Sequence, residues 1–222
     1  MTTRNRCAHN RRGNVLLYVL LGVALMAALI FAINSDMRGQ QTNRITQEQI
    51  ELLGTALMAH VTTMEQSVFQ MTQFGADYPD LLFDLPGSPN YTNNTRRQIF
   101  HPSGGGVTPF STNDDLLFDP GNSSKRGWVL QNQTNVEWSP STNIDLIYSF
   151  LDINPQLCAH LNKKITGSEN IPQVTFDFKD VFTMDGNNNS LTETLCPACK
   201  NRRILCIKNN NAHALYSIIG SH

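Results

Sequence analysis

The chain has 222 residues and a net charge of −1, from 17 basic and 18 acidic residues. That balance gives no electrostatic reason to bind nucleic acid, and nucleic-acid partners are set aside. Beyond a membrane-like N-terminal segment, the remainder is long enough for one modest domain plus a long helix, and it is rich in Asn, Thr, Ser and Gln.

Residues 1–13 form a basic leader. Arg4, Arg6, Arg11 and Arg12 occur without an acid, and the leader ends in Gly13. Asn14 follows, and then Val15 to Ile33 run 19 residues without a charge. A helix of that length spans roughly 28 Å, close to a bilayer core, so residues 14–34 are expected to cross a membrane. The excess of arginine ahead of the span places the N-terminus in the cytoplasm and the bulk of the chain outside. No A-x-A site follows the apolar run. The segment therefore reads as an uncleaved anchor, or as one whose leader is cut ahead of it.

Apolar residues then recur at helical spacing. Ile50, Leu53, Leu57, Val61, Met64, Val68 and Met71 make one stripe of an amphipathic helix over residues 35–73. No proline lies between Asn14 and Tyr78, so the pattern predicts one nearly continuous helix from Asn14 to Thr72. The alternative is two helices broken near Asn34–Gln40. His60 falls at the edge of the apolar stripe and reads as a boundary residue.

Residues 74–222 are expected to form a domain with long loops. Prolines and Gly104-Gly105-Gly106 punctuate Phe74 to Lys125, with short strands expected at Gln98–Phe100 and Leu116–Phe118. Strands are predicted at Trp128–Gln131, Val136–Trp138, Val174–Phe178, Ile204–Ile207 and Leu215–Ile219. Asp145–Leu151 fits strand or helix, and Asn154–Lys164 reads as a short helix. The fold class is α+β: a long N-terminal helix, half in membrane and half amphipathic, packed on a small, mostly antiparallel sheet.

Cys7 stays on the cytoplasmic side. Cys158, Cys196, Cys199 and Cys206 lie outside, where two disulfides are the default. Sequence alone leaves three pairings open. The one favoured here joins the short helix to a late strand through Cys158–Cys206, with Cys196–Cys199 closing a small loop. A redox use of Cys196-Pro197-Ala198-Cys199 lacks the surrounding βαβ pattern. Cys196, Cys199, Cys206 and His213 also fit a loose zinc spacing, C-x2-C-x6-C-x6-H. Asp185-Gly186-Asn187 reads as a turn rather than a calcium loop. The triple glycine has neither the Lys-Ser/Thr nor the helix start of a phosphate loop and reads as a turn. No nucleophile elbow is present, so no enzyme class, metal or cofactor is assigned.

A basic leader ending in Gly13, a membrane helix starting at once, an amphipathic continuation and a C-terminal sheet resemble type IV pilin-like proteins, including the pseudopilins of type II secretion. More narrowly, Asn14-Val15-Leu16, Ile99 to Val107, and Leu157-Cys158 with Asn162 resemble a group of uncharacterised bacterial prepilin-like proteins of this architecture. The resemblance implies a bacterial inner-membrane protein with a single span and a periplasmic C-terminal domain. It implies cleavage between Gly13 and Asn14 by a prepilin peptidase, methylation of the new N-terminus, and assembly with other pilin-like subunits. Gly22, Ala24, Ala27 and Ala28 suit close helix packing in lipid. The chain departs from the family at Asn14, where Phe or Met is usual, and at Tyr18, where the family has Glu. The expected function is that of a structural subunit, in the pilus or secretion-type assembly, without catalysis. The alternative is a single-span periplasmic binding module that does not polymerise.

Overall fold

The computed structural model describes residues 45–111, 116–117, 127–140, 142–183, 190–210 and 212–221. The leader, the expected span and Asp185–Asn189 lie outside the described residues. Among the described residues no helix is long and apolar enough to cross a membrane.

The first described helix, α1 (Gln47–Gln73), has both ends written in its sequence. Thr46 is extended (φ −69°, ψ 158°) and forms a capping box with Gln49. Gln49 N–H donates to Thr46 Oγ1 at 3.2 Å, and Thr46 N–H donates to Gln49 Oε1 at 2.9 Å. Two of the helix's orphan donors are thereby satisfied. The expected continuous helix from Asn14 to Thr72 is therefore corrected: the chain breaks helical geometry at Thr46. At the other end Gly75 takes φ +85°. Gly75 N–H bonds Thr72 O and Ala76 N–H bonds Met71 O, each at 3.0 Å, a Schellman ending that turns the chain back toward the core.

Four strands follow: β1 (Gly127–Thr134), β2 (Asp145–Leu151), β3 (Ile204–Lys208) and β4 (His213–Gly220). They form one sheet in the order β1-β2-β4-β3, with every pairing antiparallel. A second helix, α2 (Pro155–Thr166), and a one-turn helix, α3 (Phe178–Phe182), lie between β2 and β3 in sequence. The class is α+β.

Both faces of the sheet are covered. Leu146, Tyr148 and Phe150 of β2, with Leu215 and Ile219 of β4, pack against α1 and α2. Ile147, Leu151, Ala214, Tyr216 and Ile218 point the other way, onto α3 and the segment holding Leu191, Cys196 and Cys199. Every residue of β2 is buried. That is why Asp145–Leu151 carries no polar–apolar alternation and was ambiguous as a sequence.

Two expected strands are corrected. Val136 makes one isolated parallel bridge to Leu191, and Gln173 makes one to Lys208. Further along, Asp177 Oδ1 accepts from Lys179 N–H at 3.0 Å and starts α3 at Phe178. A side chain able to cap a helix outweighs the β preference of Val and Phe there. Gln98–Phe100 and Leu116–Phe118 are likewise represented among the described residues by single bridges, Leu82 to Gln98 and Leu117 to Ile153.

Candidate functional site

Around Cys158 the sequence builds a lock between helix and sheet. Asn154 caps α2, its Oδ1 accepting from Gln156 N–H at 2.9 Å, and Pro155 occupies the first turn. Cys158 and Asn162 are four residues apart and so share a face of α2. Cys158 is bonded to Cys206 of β3. Asn162 meets the backbone of the same residue: Nδ2 donates to Cys206 O at 2.8 Å, and Oδ1 accepts from Cys206 N–H at 2.9 Å. Two residues along, Lys208 N–H bonds Pro172 O and Lys208 O accepts from Val174 N–H. β3 is an edge strand, and these contacts cover backbone groups that would otherwise invite another strand.

Cys196 and Cys199 are joined across the 3-10 turn Pro197–Cys199. Both are fully buried in the core on the face away from α1 and α2. A buried pair gives a redox partner no access to sulfur. The zinc spacing does not converge either, because Cys206 belongs to the helix-side core and the other two cysteines to the opposite side. No group of three or more metal-ligating side chains occurs among the described residues.

The stretch Ile99 to Val107 is a tight loop wedged against α1. Gly105 N–H bonds Gln98 O at 3.0 Å, Val107 N–H bonds Ile99 O at 3.0 Å, and Ser67 Oγ of α1 donates to Gly105 O at 3.1 Å. A side chain on Gly104 would overlap Gln98 O, and one on Gly105 would overlap Ser67 Oγ. Only Gly106 has a positive φ, +66°. Two of the three glycines are thus required by close approach rather than by turn geometry.

Between α1 and β2 lies a polar pair inside an aromatic cluster. His60 Nε2 and Tyr148 Oη are 3.0 Å apart. Trp128 stacks on Tyr148 at 4.3 Å between centroids, and Phe110 lies 5.2 Å from the His60 ring. Burial lowers the His60 pKa from 6.5 to about 4 and pushes the Tyr148 phenol above its usual range, so both are neutral near pH 7. Beside them is an apolar pocket of about 270 Å³, bordered by Phe83, Phe100 and Phe110. Sequence reading missed this cluster. His60 and Tyr148 are 88 positions apart, and no local pattern links them.

The processing residues Gly13 and Asn14 lie outside the described residues. Among the expected site residues, the structure brings together Cys158 with Cys206 and Cys196 with Cys199. No family profile, no curated protein and no solved structure matches the chain.

Proposed function

We propose that this chain is a membrane-anchored, pilin-like structural subunit that works by assembly and not by catalysis. Residues 14–34 anchor it in a bacterial inner membrane, with residues 1–13 in the cytoplasm and the α+β head in the periplasm. The observation that carries the reading is α1. Its buried residues Leu57, Met64 and Val68 run along the helix-facing side of a four-stranded antiparallel sheet, in a chain whose residues 15–33 form an apolar stretch of bilayer length. Two disulfides in the head suit an oxidising compartment. Partners are other pilin-like subunits and a prepilin peptidase cutting between Gly13 and Asn14.

The test is the intact mass of protein taken from its own membrane, with terminal peptide mapping. Loss of residues 1–13 with a methyl group on Asn14 is the expected result. A retained residue 1–13 segment overturns it. The second reading, a single-span module that stays monomeric, is favoured by Tyr18 standing where the family has Glu. Crosslinking between copies in the membrane separates the two.

A further inference from the structure

An open concavity lies between the C-terminal half of α1 and the end of β4, with a volume of about 720 Å³. Three aromatic side chains border it: Phe69, Tyr78 and Trp138. Phe69, a large apolar side chain on α1, is 61% exposed. The other two rings are held in place. Trp138 Nε1–H donates to Arg202 O at 3.3 Å. Tyr78 packs against Gly220, where any side chain would overlap its ring.

The polar border is equally fixed. Arg203 is paired with Glu65 of α1 at 2.6 Å and donates to Ile218 O at 3.1 Å. Asn201 sits in a left-handed turn (φ 59°) on the same border.

We infer that this groove binds a neutral glycan. The apolar C–H faces of sugar rings stack on aromatic side chains, and their hydroxyls need both donors and acceptors at the border, which Arg203, Asn201 and Glu65 supply. The Glu65–Arg203 pair leaves no net charge from these two groups, which disfavours an anionic ligand. A proline-rich peptide is disfavoured as well. Aromatic grooves for such peptides use ring donors to hold peptide carbonyls, and the Trp138 indole donor is already committed to Arg202 O. The inference stands whether or not the chain assembles.

The experiment is calorimetric titration of the full chain in lipid nanodiscs with maltohexaose, cellohexaose and chitotetraose. At least one sugar is expected to bind saturably. Phe69→Ala and Trp138→Ala should each weaken that binding by about tenfold, the loss expected for one stacking partner. Phe69 is exposed, so its removal tests the groove without emptying the core, and circular dichroism checks that both variants are folded. Trp128→Phe, outside the groove, should leave binding unchanged. Heat from none of the three sugars, binding that survives both variants, or saturation by decaproline alone overturns the inference.

Discussion

Asn162 and Cys206 are held together twice over: the Asn162 amide bonds both the N–H and the C=O of Cys206, at 2.9 and 2.8 Å. The amide does what a neighbouring strand would do, and the disulfide from Cys158 fixes the same residue. Asn162 is fully buried, and its Nδ2 also donates to Asn170 O at 2.9 Å. Asn162→Ala leaves buried backbone groups of Cys206 without partners and should cost roughly 3 kcal/mol in urea unfolding. Asn162→Asp keeps the acceptor but sets a carboxylate against two carbonyl oxygens, so it should be no better than alanine. A variant as stable as the parent would mean that water replaces the amide.

The two disulfides should differ in what they contribute. Cys158–Cys206 closes a segment with a sequence separation of 48, and Cys196–Cys199 one with a separation of 3. On loop-closure entropy the first restricts the unfolded chain by about 4 kcal/mol and the second by about 2 kcal/mol. Replacing Cys158 and Cys206 together by alanine should therefore lower the urea midpoint more than replacing Cys196 and Cys199. With both bridges intact, alkylation of the unreduced, denatured chain should label no cysteine once residues 1–13 have been cut away, and Cys7 alone in the uncut precursor.

Much of the frame was legible because it is written locally. Asn154-Pro155 opens α2 and Gly167 at φ +82° closes it, and both signals stand in the sequence. Thr46 with Gln49 was just as explicit a capping box, yet the absence of proline between Asn14 and Tyr78 favoured one continuous helix. Val174–Phe178 shows the opposite error: β-branched and aromatic residues argued for a strand, and Asp177 decided for a helix start. The groove and the aromatic cluster were not legible. Their residues, Phe69 with Trp138 and His60 with Tyr148, meet only after the sheet has formed, and no spacing rule connects them.

His60 gives stability a pH dependence of definite sign. Burial lowers its folded pKa to about 4, against 6.5 in the unfolded chain. As the pH falls, the unfolded chain takes up the proton first, so the contribution is complete above 6.5 and is drained between 6.5 and about 4. His213, lowered by burial and then by Lys208, and His160, lowered by burial and then by Lys164, act in the same direction. Comparison with His60→Gln isolates the His60 share, because the Gln amide bonds the Tyr148 hydroxyl without titrating. Urea midpoints of the variant should fall less steeply across that window. Parallel curves for the two proteins would show that His60 charges without loss.

The glycines of the Ile99–Val107 loop allow sterics and backbone conformation to be separated. At Gly105 an added methyl group meets Ser67 Oγ and Ile99 O, and the Ser67 bond to Gly105 O holds the loop against α1. Gly105→Ala must push the loop off the helix and should cost roughly 2–3 kcal/mol, as overpacking does. Gly75 also has a positive φ, +85°, but nothing lies within 4 Å of the added carbon. Gly75→Ala should cost only the left-handed conformation, about 1 kcal/mol. Adding Ser67→Ala to Gly105→Ala removes one of the two clashing groups and should recover part of the loss. If the double variant is no more stable than Gly105→Ala, the strain lies against Ile99 O alone, and the loop owes its glycine to its own backbone rather than to α1.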